Sequence, residues 1–311
     1  MDAGVERKLV LVTRQTRLEG LIGRFHTLAQ AKFYIEHQEL DFSDYEREHN
    51  AYAQAKRVVL AILRSYGRHQ VVDRSFLPNF VFSESDIVLA LGQDGLVANT
   101  MKYLDGQPLL GINPEPSRYD GVLLACEPQG VAESVAGILR GRFIAKEVTM
   151  AKATLTDGQT LYGVNDLFIG PRSHVSARYE IELDGQREIQ SSSGLIVSTG
   201  LGSTAWMKSI VVGALQIAAM YDEKPEQREY RPIPWDADKL VFAVREPFPS
   251  KASGATIVHG SIADRHPLKL TSLMPADGVI FSDGIESDFL EFNSGAVASI
   301  DVAERKGILV V

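Results

Sequence analysis

The chain has 311 residues, of which 45% are hydrophobic and 23% are charged. This is the composition of a globular protein with full-sized apolar cores, and the length predicts two domains. The formal net charge of -8 argues against a nucleic-acid partner. An anionic ligand would therefore need local help from backbone amides, helix N-termini, a metal or a few cations.

The number of cysteines and the hydropathy of the chain argue against a disulfide-linked, secreted or membrane-spanning protein. The single cysteine, Cys126, excludes an intrachain disulfide and is predicted to be a small core residue. No apolar run reaches the roughly 18 residues that span a bilayer, and the first residues carry no signal-peptide or transit-peptide pattern. We therefore expect a cytoplasmic protein with no membrane partner.

The first half of the chain alternates strand and helix signals, as in a doubly wound α/β domain. Residue spacing predicts strands at 9–13, 71–72, 86–91 and 108–112, and helices at 43–66, 97–104 and 131–140. Ser43 is expected to cap the first of these helices, with Glu46 completing a capping box. The run 86–91 is apolar throughout, which is typical of a strand buried on both faces of a parallel sheet.

The pattern changes near residue 145. Tyr179, Ile181 and Leu183 alternate with acidic residues, which predicts a strand with one wet face, followed by a turn at Asp184-Gly185. Further strands are predicted at 151–155, 195–199, 239–245, 255–259, 278–282 and 296–302, one long helix at 203–221, and a surface excursion at 222–236. We therefore predict a mostly parallel α/β domain over 1–144 and a β-rich domain over 145–311.

A glycine-rich loop joins the buried strand 86–91 to the next helix, with the sequence Gly92-Gln93-Asp94-Gly95. Loops at this position bind phosphates through backbone amides and the helix N-terminus. Asp94 would repel a phosphate unless it binds a metal or accepts a proton, and phosphoryl-transfer enzymes use both roles. The alternative is a simple turn with a helix-capping aspartate.

A second polar motif interrupts an apolar stretch, where Asn165 and Asp166 lie within LYGVNDLFIG. Two adjacent side chains of this kind can hold the paired hydroxyls of a ribose. Because Asn-Asp is also a common turn pair, an Asx turn is the alternative.

The third motif, SSSGLIVSTGLGSTAW at 191–206, joins a strand to a helix through glycines and hydroxyls that suit nucleotide binding. Its alternative is a β-to-α turn with a serine cap. Its candidate residues are Thr199, Gly202, Ser203 and Thr204. A fourth motif, Ser282-Asp283-Gly284, is weak by itself.

Taken in this order, the four motifs resemble those of the NAD kinase family, which shares a superfamily with diacylglycerol-type lipid kinases and phosphofructokinases. Three segments are most similar to mitochondrial-type NAD kinases and their bacterial relatives: GINPEPSR at 111–118, SSG at 192–194 and GLGSTAW at 200–206. The resemblance covers nearly the whole chain.

The resemblance implies phosphoryl transfer from ATP, with Mg²⁺, to the ribose of NAD, by a homodimer. Asp94 would activate or orient the acceptor hydroxyl. Asn165 and Asp166 would hold the NAD ribose, and Thr199, Gly202, Ser203 and Thr204 would line the dinucleotide site. The phosphoryl donor (ATP or polyphosphate) and the choice between NAD and NADH stay open.

The loop at Gly92, Gln93 and Gly95 is the predicted phosphate site. Arg14 and Arg17 follow the first predicted strand and could supply the cations that an acidic protein needs. Solvated surface arginines are the alternative for both.

Three positions depart from the family pattern, since Gln93 replaces a glycine, Leu96 a threonine and Asp166 a glutamate. If the loop needs a positive φ at position 93, glutamine strains it, and Gln93→Gly should then raise kcat/KM. These departures leave two other functions open: a lipid or sugar kinase on the same scaffold, or a non-catalytic nucleotide-binding regulator.

Overall fold

The computed structural model describes residues 7–221, 229–263 and 266–311. Its helices are α1 (Arg17–Phe25), α2 (Leu28–His37), α3 (Phe42–Ser65), α4 (Asp94–Met101), α5 (Val131–Leu139) and α6 (Trp206–Ala219). Its strands are β1 (Leu9–Thr13), β2 (His69–Asp73), β3 (Ile87–Leu91), β4 (Pro108–Ile112), β5 (Ala145–Leu155), β6 (Thr160–Gly163), β7 (Asp166–Pro171), β8 (Ala177–Leu183), β9 (Gln186–Ser192), β10 (Leu195–Ser198), β11 (Lys239–Val244), β12 (His259–Ala263), β13 (Leu268–Ser272), β14 (Gly278–Ser282), β15 (Ile285–Glu291) and β16 (Val297–Val310).

The chain forms two compact units. The first contains the chain up to Lys146 together with Ile308–Val311, and the second contains Glu147–Gly307. The division predicted at 144/145 differs from this chiefly in the last four residues. They belong to the first unit because the end of β16 pairs in parallel with β4.

The first unit contains a parallel sheet in the order β2-β1-β3-β4-β16. Every residue of β1 and β3 is buried, as expected for strands covered on both faces. Their side chains share one apolar cluster with α3 and α5, and Cys126 packs at its edge. Burial raises the pKa of the Cys126 thiol, which favours the unreactive thiol form.

Helix starts in this unit follow side-chain capping. Thr16 and Glu19 form a capping box at α1, and the α2 start is capped by Thr27. The capping box predicted at Ser43 and Glu46 was wrong, because α3 begins at Phe42 and its cap is Asp41, which accepts the Ser43 N–H at 2.9 Å. An aspartate is as good a cap as a serine, and the earlier start buries Phe42.

The second unit is built from antiparallel strands. One sheet has the order β12-β11-β10-β7-β14-β15, and the other contains β9, β8, β13 and β16, with β5 and β6 added through β16. Alternate residues of β7 face opposite ways: Leu167 and Ile169 enter the large core shared by both sheets, whereas Phe168 joins a smaller cluster with Trp206 and Met207 of α6.

One strand of this unit lies later in the chain than predicted. The run 255–259 was expected to form a strand, but β12 begins at His259. The Glu188 carboxylate accepts the backbone N–H groups of Thr256 and Ile257, each within 2.9 Å. The Glu188 side chain thus pairs the backbone N–H groups that a neighbouring strand would otherwise pair. Asp184 and Gly185 both have positive φ between β8 and β9, as the predicted turn requires.

The long helix predicted at 203–221 is divided. Gly202–Thr204 forms a short 3-10 turn, and α6 runs from Trp206 to Ala219. The predicted surface excursion lies partly outside the described residues. In the described part of the chain, none of the helices has the length and apolar character to cross a bilayer.

Candidate functional site

Two loops of the first unit leave the sheet at the place where its strand order reverses. Because β1 lies between β2 and β3, the crossovers that follow β1 and β2 run in opposite directions along the sheet. Ligands of open α/β sheets bind beyond the carboxyl ends of strands at such a point. Arg14 follows β1 and Gly92 follows β3, so two of the predicted site residues lie there.

Asp94 is tied to the chain beyond β4. Its Oδ1 accepts the Leu123 N–H at 2.9 Å, and its Oδ2 accepts the Val122 N–H at 3.1 Å. The helix-capping alternative is wrong, because Gln93 is the N-cap residue of α4 and Asp94 is the first helical residue. Each carboxylate oxygen keeps a second lone pair, so the half-buried Asp94 can still accept a proton or a hydrogen bond.

The backbone of the loop carries no strain at position 93. Gln93 has φ -95 and ψ 169, an ordinary extended conformation, and its side chain is exposed. The expectation that glutamine forces a left-handed conformation was therefore wrong. A Cβ at Gly92 would lie 2.8 Å from Cδ2 of Leu96, so the buried Leu96 side chain would have to shift to admit a larger residue there.

The two candidate arginines share one buried carboxylate. Glu48 of α3 is 2% exposed; it accepts from Nη2 of Arg14 at 3.0 Å and from Nε of Arg17 at 2.9 Å. Burial by itself would raise the pKa of Glu48, but hydrogen bonds from Arg17 and Arg14 outweigh it and the pKa is lowered. Glu48 is therefore held as an anion that fixes both guanidinium groups.

The two arginines differ in how much donor capacity they retain. Arg17 also donates to Asp44 at 2.7 Å, and Asp44 is paired with Arg118 in addition. Arg14 is only 14% exposed, so it is not a solvated surface side chain. Its Nε is buried without a hydrogen-bond partner among the described residues. It lies 3.6 Å from the position a Cβ on Gly92 would take, which places the guanidinium against the loop.

In the second unit, the Asn165-Asp166 pair forms a turn held by a distant side chain. The Asp283 carboxylate accepts the backbone N–H groups of Val164 at 3.0 Å, Asn165 at 2.6 Å and Asp166 at 3.3 Å. The Asn165 side chain is half-buried. Within the described ranges, every hydrogen bond of Asn165 runs through its backbone, so its amide is left to contact a ligand.

Asp166 is buried beside a second carboxylate. It is 8% exposed, and its Oδ1 has no hydrogen-bond partner in the part of the chain that the structure describes. Burial, and then the charge of Asp283, raise the pKa of Asp166 to about 7, against a hydrogen bond from Ser198. A buried acceptor without a hydrogen-bond partner lowers the stability of the fold. A ligand hydroxyl that donates to this oxygen would remove that cost.

Residues of the third motif form hydrogen bonds with the Val164–Asp166 turn and with one another. Thr199 donates its hydroxyl to the Val164 carbonyl at 2.6 Å and accepts the Gly202 N–H. The Ser203 hydroxyl donates to the Gly200 carbonyl at 2.6 Å. The side chains of Thr199 and Ser203 are fully buried. Each hydroxyl donates its hydrogen bond to a backbone carbonyl of the protein. Thr204 is exposed and donates to Leu201.

Gly202 is fixed by close packing. A Cβ at this position would lie 2.0 Å from the carbonyl oxygen of Asn165, so any side chain would push the Asn165-Asp166 turn away. The glycine therefore couples the third motif to the second.

Sequence reasoning missed three residues at these sites. Ser198 lies at the end of β10 and bonds Asp166, and Tyr230 lies near enough for the Asp166 charge to raise its pKa, after the larger effect of burial. Ser198 lies within the third motif but was not singled out from its other hydroxyls, and Tyr230 had no recognisable signal. Glu48 did have one, because it shares the buried stripe of α3 with Tyr52 and Ala55, and a charged residue on such a stripe needs ionic partners.

The carboxylates are dispersed. Among residues 7–221, 229–263 and 266–311, no group of three or more His, Cys, Asp or Glu side chains could hold a metal ion. Mg²⁺ is usually bound by one or two carboxylates together with substrate phosphates. Asp94, at the start of α4 directly after the β3 strand and its loop, could supply one such carboxylate.

Comparisons with known proteins concern the family and the fold of the chain. No family model matches the chain. The NAD kinase of Acinetobacter baylyi is 30% identical over 238 residues, covering 69% of this chain and 75% of that protein. The NAD kinase of Methylococcus capsulatus is 31% identical over 176 residues, covering 53% of this chain and 60% of that protein.

The fold also has a solved counterpart. A crystal structure of yeast NADH kinase complexed with NADH matches with a TM-score of 0.57 at 12% identity, covering 98% of this chain and 83% of that chain. At this identity the match concerns the fold alone, and the NAD kinase of Acinetobacter baylyi carries the assignment of family. On these grounds the chain belongs to the NAD kinase family.

Proposed function

We propose that this protein is an NAD kinase that transfers the γ-phosphoryl group of ATP to a ribose hydroxyl of NAD, giving NADP and ADP. The observation that carries the proposal is the half-buried Asn165 amide beside the buried Oδ1 of Asp166, which has no hydrogen-bond partner among the described residues. Paired hydroxyls of a ribose match two such adjacent acceptors, and the chain belongs to a family whose members phosphorylate NAD.

The reaction assigns distinct tasks to the candidate residues. The ribose hydroxyl oxygen forms a bond to the γ-phosphorus, the bond from that phosphorus to the β,γ-bridging oxygen breaks, and ADP leaves. Asp94 accepts or orients the hydroxyl proton, which supplies roughly 10²–10⁴-fold in rate for a positioned base. Asn165 and Asp166 hold the ribose.

The loop after β3 stabilises the negative charge of the ATP phosphates. The α4 N-terminus points backbone N–H groups out of the loop, and Arg14 supplies a fixed cation against Gly92. Glu48 stabilises Arg14 in this position. Mg²⁺ bound to ATP would neutralise further charge on the transferred group, and Asp94 is the carboxylate of this loop that could contribute to holding it.

The altered loop is compatible with turnover. The regulator alternative rested on strain at Gln93 and on the loss of a hydroxyl at Leu96. Since Gln93 is unstrained and its side chain is exposed, the loop amides keep their approach to a phosphate. Leu96 contributes packing under Gly92, which a threonine would fill less completely.

Purified protein incubated with NAD, ATP and Mg²⁺ tests the proposal through the formation of NADP, measured with an NADP-specific dehydrogenase. Parallel reactions with NADH as acceptor and with polyphosphate as donor identify the preferred substrates. A thermal-shift panel of NAD, NADP, ATP and diacylglycerol separates the ligand classes, because a ligand at 100 times its Kd adds about 2.7 kcal/mol of stability. Binding of diacylglycerol without NADP formation would contradict the proposal.

The homodimer, the cytoplasmic location and the use of Mg²⁺ with ATP stay predictions of the sequence. Light scattering of the purified protein at several concentrations tests the homodimer.

A further inference from the structure

Asp283 lies in a tight hairpin whose geometry is dictated by its sequence. Asp283 and Gly284 are the two residues between β14 and β15, and both have positive φ, 55 and 70. Two-residue hairpin loops with positive φ at both positions favour Asp-Gly. The hairpin therefore holds the Asp283 backbone in place without help from a ligand.

The Asp283 side chain reaches a segment almost 120 residues earlier. Its carboxylate accepts three consecutive backbone N–H groups, from Val164, Asn165 and Asp166. Its own N–H donates to the Asp166 carbonyl at 3.1 Å. A carboxylate bonded to successive amides acts like a cap at a helix start, and here it shapes the turn that presents Asn165 and Asp166.

The same carboxylate places a negative charge beside Asp166. Among the described residues, Tyr230 is a further titratable group near Asp166, and its raised pKa keeps it neutral near pH 7. Ser198 contributes only a neutral hydroxyl. Within the described part of the chain, the charge that raises the pKa of Asp166, after the larger effect of burial, is that of Asp283.

We infer that Asp283 is a positioning residue for the dinucleotide site: it shapes the Val164–Asp166 turn and, through its charge, makes NAD binding dependent on pH. The inference rests on the proposed function in one respect, because it takes NAD as the ligand that binds at the Val164–Asp166 turn. Asp166 binds a ribose hydroxyl best as an anion, because bonds to a charged acceptor are stronger. Burial and the Asp283 charge both oppose that anion.

The expected pH dependence has a definite sign. Below about pH 7 Asp166 is largely protonated, and NAD affinity is low. As pH rises through that value Asp166 ionises and affinity increases, roughly fivefold from the difference between neutral and charged hydrogen bonds. Removing the Asp283 charge should move this transition to lower pH.

The test compares wild type with Asp283→Asn, Asp283→Ala and Asp166→Asn between pH 5.5 and 8.5. Asparagine tolerates positive φ and keeps one acceptor, whereas alanine removes all three hydrogen bonds. Two quantities are measured on the whole protein: NAD affinity by calorimetry, and the titration midpoint of the Asp166 carboxyl by ¹³C NMR without NAD.

With Asp283→Asn, we expect both the Asp166 midpoint and the rise in NAD affinity to move about one pH unit lower, the usual effect of a neighbouring like charge. Asp283→Ala should weaken NAD binding at least tenfold at every pH, and Asp166→Asn should abolish the pH dependence. An Asp166 midpoint that does not move in Asp283→Asn overturns the inference, whether or not NAD binds. Failure of wild type to bind NAD, with a midpoint that does move, would instead reject NAD as the ligand.

Discussion

Asp94 and Leu123 are joined by a hydrogen bond of 2.9 Å from the Leu123 backbone N–H to the Asp94 carboxylate. The residue proposed to handle the acceptor proton thus also fixes the chain that follows β4. A substitution at Asp94 therefore tests chemistry and local structure together, and the experiment must separate them.

Asp94→Asn should fold and lose activity. Asparagine keeps a carbonyl oxygen for Leu123 but presents an amide towards the Val122 N–H, which costs about 1 kcal/mol of stability. The loss in kcat should be far larger, about 10²–10⁴-fold. Steady-state kinetics and thermal unfolding measure the two effects. Asp120→Asn, an exposed carboxylate in the neighbouring segment, is the control and should change neither; a wild-type kcat in folded Asp94→Asn would remove Asp94 from the mechanism.

Asn165→Ala should weaken NAD binding and leave the fold intact. The hydrogen bonds of Asn165 to Asp283 and Thr199 are made by its backbone, so alanine preserves them. Loss of one neutral hydrogen bond to the ribose costs about 0.5–1.5 kcal/mol, which raises the Kd for NAD about two- to tenfold. Calorimetry that finds an unchanged Kd would mean that the amide does not touch the dinucleotide.

Arg14→Ala should affect ATP more than Arg17→Ala does. Arg14 has a buried Nε without a partner in the described residues and lies against Gly92, whereas the Arg17 guanidinium is divided between Glu48 and Asp44. Loss of a charge-assisted bond to phosphate costs about 1.5–3 kcal/mol. We expect the KM for ATP to rise at least tenfold in Arg14→Ala and by a smaller factor in Arg17→Ala. A larger rise in the KM for ATP in Arg17→Ala than in Arg14→Ala would contradict the prediction and would assign the phosphate contact to Arg17.

Gln93→Gly should not activate the enzyme. The native φ of -95 is open to every residue, so there is no strain for glycine to relieve. Glycine adds freedom to the unfolded chain and should lower the free energy of unfolding by about 0.5–1 kcal/mol. A rise in kcat/KM would show that the Gln93 side chain hinders the phosphates in the bound state.

Gly202→Ala should destabilise the protein, while Gly213→Ala is its matched control. A Cβ at Gly202 meets the Asn165 carbonyl at 2.0 Å, but a Cβ at Gly213, inside α6, meets nothing within 4 Å. We expect a loss of about 3 kcal/mol or more in the first variant, which is the range of severe steric mutations. The second should gain up to about 1 kcal/mol from helix propensity. Equal melting temperatures would contradict the packing argument.

The sequence by itself determined the fold class and the order of the motifs. Buried parallel strands have continuous apolar runs, so β1, β3 and β4 could be located within a residue or two, and the alternation in β8 indicated a strand with one wet face. The candidate site residues were visible for the same reason, because glycines and paired polar residues interrupt these apolar runs.

Only the tertiary structure decided what these side chains contact. Local patterns carry no information on partners more than a hundred residues away, so the sequence could not show Asp283 holding the Val164–Asp166 turn. It could not assign Glu48 to Arg14 and Arg17, or the Asp94 carboxylate to Leu123. The ordinary extended backbone angle at Gln93 was also seen only in the structure. Hydrophobic patterning is local along the chain, whereas the electrostatics of a site depend on which distant charges the fold brings together.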